Sequence, residues 1–130
     1  MNTSSNTFAR FFYFMVILTT MGCGQSQVEI ISADKLKELQ SDGVTVVDIR
    51  TPSEYEGGHI PGVLHMDYLA SDFSDKMVTL DKSKPLVIYC ASGGRSAKAS
   101  KMLSEQGFNV VYNYSGGFND WKQRGEKVEK

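Results

Sequence analysis

The sequence predicts an α/β fold in which a parallel five-stranded sheet is flanked by helices on both faces. Three observations carry that prediction. Short apolar or β-branched runs alternate with segments of helical periodicity. The links between them are short and rich in glycine, proline, serine and aspartate. Two of the runs, 44–49 and 86–89, are apolar almost without interruption, as in strands covered on both sides rather than one.

Each element follows from its residues. Val28-Glu-Ile-Ile31 is the first expected strand. Ser32 is placed to cap a helix over 33–40, with Leu36 and Leu39 on one face. Ile31 and Leu36 have the spacing of a hydrophobic staple. Ser41-Asp-Gly43 closes that helix, and Val44-Thr-Val-Val-Asp-Ile49 is the second strand. Thr51-Pro-Ser-Glu54 has the pattern of a helix start: Thr51 as cap, Pro52 at the first helical position, Glu54 completing a capping box. Gly57-Gly58 ends this helix after little more than a turn. His59-Ile-Pro-Gly62 reads as a turn, 63–66 as a short strand, and 71–80 as loop plus short helix. Leu86 to Tyr89 is the central strand. A helix is expected over 96–106, with Ala99, Met102 and Leu103 inward and Gly107 closing it. Asn109-Val-Val-Tyr112 is the last strand, and 118–124 a final helix burying Phe118 and Trp121. Residues 126–130 alternate acids with lysines and are expected to form a charged, solvated tail.

The first 22 residues differ in kind from the rest. Arg10 precedes the apolar run Phe11-Phe-Tyr-Phe-Met-Val-Ile-Leu18, too short to span a bilayer, and Thr19-Thr-Met-Gly-Cys23 follows. Residues 1–22 are therefore expected to be a signal peptide for export. Cys23 has the position of a lipoprotein acceptor cysteine, 23–27 would be a tether, and 28–125 the folded domain. That places the protein in the periplasm or anchored by lipid to a membrane of a bacterial envelope. The alternatives are an uncleaved amino-terminal anchor or a cut elsewhere. Cleavage before Cys23 removes 22 of the 130 residues and one charge, Arg10, taking the formal net charge from −1 to −2. A near-neutral chain without a basic stripe gives no sign of nucleic-acid binding.

The chemistry concentrates in Cys90-Ala-Ser-Gly-Gly-Arg95-Ser96. Cys90 falls at the carboxyl end of a strand, where open parallel sheets place their sites. Loop amides and a helix amino end lie close by, and both favour a thiolate, the reactive form of cysteine. Gly93 and Gly94 are expected to let successive amides point at the sulfur, and Arg95 adds a positive charge. With Cys23 lipidated, Cys90 has no thiol partner; a Cys23–Cys90 disulfide is the other possibility. Two histidines and one free cysteine make no metal-ligand spacing, and no cofactor is implied. Asp48 and Arg50 are expected to pair with each other, with Glu54 or with loop amides, because buried charges need partners.

Val47-Asp-Ile-Arg50, Glu54-Tyr55, Gly58-His-Ile-Pro-Gly62, the Cys90–Ser96 loop and Gly116-Gly-Phe-Asn-Asp-Trp121 stand in the order and rough spacing of a rhodanese-like domain. The resemblance covers nearly all of the chain after Cys23, and a single exported domain resembles the phage-shock-protein E type. It implies sulfurtransferase chemistry. Cys90 would take the outer sulfur of a small anionic donor such as thiosulfate, carry it as a persulfide, and pass it to cyanide or a thiol. It also implies a cradle made by the amides from Ala91 to Ser96, with Arg95 and Ser96 helping to hold the loop and the donor. His59 would be a scaffold contact beside Asp48, Arg50 and Glu54. Many relatives carry a basic residue directly after the cysteine, whereas Ala91 is neutral. Two rivals remain: a sulfur-carrier or protein-binding module without turnover, and an oxyanion hydrolase or reductase. The second is disfavoured by loop length, since related phosphatase loops hold five residues between Cys and Arg and this chain has four.

Overall fold

The computed structural model describes residues 26–130. The signal peptide expected over 1–22 and the lipid acceptor Cys23 lie outside the described residues.

Ten elements follow one another: β1 (Gln27–Ile30), α1 (Ala33–Ser41), β2 (Thr45–Asp48), α2 (Pro52–Glu56), β3 (Leu64–His65), α3 (Phe73–Met77), β4 (Leu86–Tyr89), α4 (Gly94–Glu105), β5 (Val110–Asn113) and α5 (Gly117–Gln123). The strands form one sheet in the order β1-β5-β4-β2-β3, every pair parallel. β4 is therefore central, paired with β2 on one side and β5 on the other.

The sheet is covered on both faces because its inner strands alternate apolar side chains between two cores. Val46, Val87 and Tyr89 join Ile31, Leu36 and Leu39 of the α1 side, together with Tyr114, Phe118 and Trp121. Val47, Ile88 and Cys90 face the other way, into a core with Phe73, Met77, Ala99, Leu103 and Phe108. All four β4 residues are buried. On α4, Ala99 and Leu103 are buried as expected; Met102 is only partly covered, and Ser96 and Ser100 take the remaining inward positions.

The local signals work as their chemistry requires. Ser32 accepts a bond from the Lys35 amide at 3.2 Å. Around Thr51 the capping box is complete: the Glu54 amide donates to Thr51 Oγ1, and the Thr51 amide donates to Glu54 Oε2 at 2.9 Å.

Both ends of the domain depart from expectation. The last residues of the 23–27 tether are ordered. Gln27 opens β1, with its amide on the Asn109 carbonyl at 2.8 Å, and the Ser26 hydroxyl reaches the Phe108 carbonyl at 2.5 Å. The 126–130 tail exposes most of its side chains, but its backbone is docked rather than free. His59 and Glu129 exchange amide–carbonyl bonds of 2.8 and 2.9 Å in an antiparallel bridge, and Trp121 Nε1 donates to the Lys127 carbonyl at 2.8 Å. Main-chain docking of this kind leaves no trace in charge composition. No helix among the described residues is long and apolar enough to cross a membrane.

Candidate active site

The central strand delivers Cys90 to the carboxyl edge of the sheet, and the chain then turns through Ala91, Ser92 and Gly93 into α4. The Gly93 amide donates to Cys90 Sγ at 3.1 Å. Ser96 Oγ lies 3.6 Å from the sulfur and donates to the Gly93 carbonyl at 3.2 Å, tying the loop to the first turn of the helix. In the thiol the S–H points at Ser96 Oγ; in the thiolate the hydroxyl rotor can turn to donate instead. Burial alone pushes the Cys90 thiol up. It is outweighed by the Ser96 hydroxyl and by the amides of Ser96, Gly93 and Ser92, and the net shift is downward. Of the amides expected to cradle the sulfur from Ala91 to Ser96, that of Gly93 is in direct hydrogen-bond contact with it.

Only one of the two loop glycines is there for its backbone. Gly93 has φ +97°, and a Cβ on it would stand 2.4 Å from the Ser115 carbonyl oxygen. Gly94 corrects the expectation for the pair. It begins α4 with ordinary backbone angles, and a Cβ there meets nothing within 4 Å. A glycine that enters the sequence reading only as part of the motif Gly116–Trp121, with no role of its own, matters more. Gly117 (φ +65°) lets α5 approach so closely that a Cβ would sit 2.6 Å from the Cys90 carbonyl oxygen. The Phe118 and Asn119 amides then donate to the carbonyls of Cys90 and Ala91 at 2.8 and 3.0 Å.

Arg95 does not point freely at the sulfur. Its guanidinium forms two parallel bonds of 2.8 Å to Glu54, with Nη1 on Oε2 and Nη2 on Oε1. The capping-box carboxylate of α2 therefore also anchors the active loop. Arg95, opposed by partial burial and helped by Thr51, holds the Glu54 carboxyl at about 2.

Of the partners open to Asp48 and Arg50, they take each other. Arg50 Nη2 is 2.6 Å from Asp48 Oδ2 and 2.7 Å from the Gly58 carbonyl, and its guanidinium lies 4.0 Å from the centroid of the Phe118 ring. Tyr89 completes the group: its hydroxyl donates to Asp48 Oδ2 at 2.6 Å and accepts from the Ile60 amide at 3.2 Å. Burial, then the charge of Asp48, pushes the Tyr89 phenol upward and keeps it a donor. His59 is a scaffold contact. Its Nδ1 is 3.1 Å from the Tyr55 carbonyl and its ring stacks on Tyr55 at 3.8 Å. His65 stacks on the same Tyr55, with Nε2 2.7 Å from the Arg50 carbonyl. Among the described residues no group of three or more His, Cys, Asp or Glu is placed to hold a metal ion.

Cys90 is only 1% exposed. An open cleft of about 470 Å³ lies beside the loop, lined by Ala91, Arg50, Glu54, Phe118, Lys122 and Lys130 among others. Ala91 lines this cleft while Cys90 itself is buried, so little room is left at the sulfur and a small reacting group suits it best. A nucleophilic sulfur held by inward N–H dipoles is suited to forming and keeping an anionic covalent adduct.

The rhodanese-like domain model matches residues 32–124. The thiosulfate sulfurtransferase GlpE of Ectopseudomonas mendocina is 38% identical over 97 residues, 75% of this chain and 87% of that protein. Its namesake from Pseudomonas aeruginosa is 37% identical over 93 residues, 71% of this chain and 82% of that protein. Among solved structures, a rhodanese-related protein from Thermoplasma volcanium superposes with a TM-score of 0.68 at 33% identity, covering 78% of this chain and 97% of its own. The chain belongs to the rhodanese-like domain family. Its class is that of a sulfurtransferase.

Proposed function

We propose that the protein moves sulfane sulfur from thiosulfate to a small thiophilic acceptor through a persulfide on Cys90. The thiolate attacks the outer sulfur of thiosulfate. A sulfur–sulfur bond to Cys90 forms as the bond to the sulfonate sulfur breaks, and sulfite leaves with the bonding pair. Cyanide or a thiolate then attacks the outer sulfur of the persulfide, and the pair of that second bond returns to Cys90 as thiolate. The enzyme alternates between two monoanions, and no external oxidant or reductant is needed.

The observation that carries this reading is the Gly93 amide 3.1 Å from Sγ. It belongs to a loop whose four residues between Cys90 and Arg95 make a small ring, suited to a sulfur atom rather than a tetrahedral phosphate. Dipoles that favour the thiolate serve the persulfide anion equally. The names of the curated relatives support thiosulfate as donor. We place the reaction in the bacterial envelope, on a domain exported by residues 1–22 and held at the membrane through lipid on Cys23, a placement that rests on the leader sequence.

Intact-mass analysis after exposure to thiosulfate is the test. One added sulfur atom, removed by cyanide and absent from Cys90→Ser, is the expected result. An unmodified Cys90 under thiosulfate and other sulfane donors would overturn the proposal. The same measurement on protein isolated from its own membranes reports whether Cys23 bears lipid.

A further inference from the structure

We infer that Lys122 and Lys130 are the donor-selecting charges of this site, drawing an anionic sulfane donor into the cleft in place of a basic residue beside the cysteine. This inference builds on the sulfur-transfer reading above and names the feature that selects the donor. Thiosulfate carries two negative charges and approaches a sulfur that is itself anionic, so the approach needs compensating positive charge. The position after the cysteine, Ala91, supplies none. The two arginines nearby are already neutralised: Arg95 by Glu54 through two 2.8 Å bonds, and Arg50 by Asp48, where it is 3% exposed. These four groups together bring no net charge to the cleft.

Lys122 and Lys130 line the same cleft as Ala91. Among the described residues neither has a carboxylate oxygen within 4.0 Å. Lys122 Nζ stands 5.2 Å from the centroid of the Phe118 ring, the ring that also carries Arg50. It projects from α5, the helix whose first amides hold the Cys90 and Ala91 carbonyls. Lys130 is brought to the cleft by the docked tail, which the His59–Glu129 bridge fixes next to α2. The side-chain acids of that tail are turned elsewhere: Glu129 towards His59 at 3.9 Å, and Glu126 onto Lys37 at 2.6 Å. The docked tail therefore gives the cleft a wall that carries the Lys130 side chain.

Thiosulfate kinetics on Lys122→Ala, Lys130→Ala and the double variant test the inference. Each single change is expected to raise KM for thiosulfate about two- to five-fold, the scale of a solvent-exposed charge pair, with kcat unchanged. Raising the ionic strength should raise the wild-type KM, and the double variant should lose most of that dependence. Lys122→Arg should retain the low KM, and Ala91→Lys should restore it in the double variant. A parallel titration of thiosulfate onto Cys90→Ser, with and without the lysines, reads binding where no chemistry can occur. If Cys90 takes no sulfur, yet removing the lysines weakens thiosulfate binding to Cys90→Ser, the sulfur-transfer reading fails and the charge assignment stands. If the double variant keeps the wild-type KM, affinity and salt dependence, the assignment is overturned and sulfur transfer stands.

Discussion

Glu54 and Arg95 meet in a two-bond ion pair, 2.8 Å at each contact, between residues 41 apart in sequence. One carboxylate closes the capping box of α2 and holds the first turn of the helix that carries the active loop. The Glu54 carboxyl is depressed in the folded protein, to about 2. The sign follows: its stabilisation is fully present above the ordinary glutamate range and fades as pH falls from there towards about 2. Glu54→Gln is therefore expected to be less stable than wild type at neutral pH, with the gap closing in acid. Urea unfolding of both proteins at several pH values between 7 and 2.5 checks this; a constant gap would count against the pair.

The lowered Cys90 thiol makes a second expectation. The pH midpoint of its thiolate ultraviolet absorbance should lie below that of a free cysteine, and Ser96→Ala should move it upward by removing the largest lowering contribution. Because the folded-state value is the lower one, thiolate formation adds stability as pH rises from it to the unfolded value. A Ser96→Ala protein titrating like wild type would show that the hydroxyl does not hold the charge.

The two loop glycines should behave oppositely. Gly93→Ala places a methyl group against the Ser115 carbonyl at a positive φ and should abolish sulfur loading while destabilising the fold. Gly94→Ala adds a methyl group in open space at the start of a helix, where alanine is the better former by up to about 1 kcal/mol. It should load sulfur normally and melt at or above the wild-type temperature. Thermal melts and intact mass distinguish the two.

The buried group of Asp48, Arg50 and Tyr89 should be sensitive to loss of a single member. Asp48→Ala leaves the Arg50 guanidinium without its carboxylate in a site where it is 3% exposed, and should cost about 3–5 kcal/mol. Tyr89→Phe should cost about 1–3 kcal/mol, because the Ile60 amide also loses its acceptor. Chemical denaturation measures both. A loss in Asp48→Ala no larger than in Tyr89→Phe would mean that the ion pair is not the centre of the group.

What could be read from the sequence was what is encoded over a few neighbouring residues. The apolar runs revealed β2 and β4, Thr51-Pro-Ser-Glu54 revealed its capping box, and the short span from Cys90 to Arg95 revealed the site. Partners across the fold were not legible. Glu54 reads as a cap, but nothing local tells that its carboxylate also faces Arg95. Tyr89 reads as one more apolar strand residue until its hydroxyl is seen on Asp48. Gly93 and Gly94 are the same residue type, and only the course of the chain past Ser115 separates their roles. Gly117 looks like an ordinary helix-start glycine until the Cys90 carbonyl is found against it. The tail misled for a related reason: its side chains are those of a solvated segment, while its attachment is made by main-chain groups common to every sequence.

The bonds from Phe118 and Asn119 to the carbonyls of Cys90 and Ala91 have a consequence for polarity at the reacting atom. A peptide chain offers as many negative ends as positive ones, and a turn that gathers N–H groups around an anion must send the opposite poles somewhere. Here α5 receives them. The helix furthest along the chain works as a sorting device, keeping the repulsive half of the main chain away from the charge that the other half attracts.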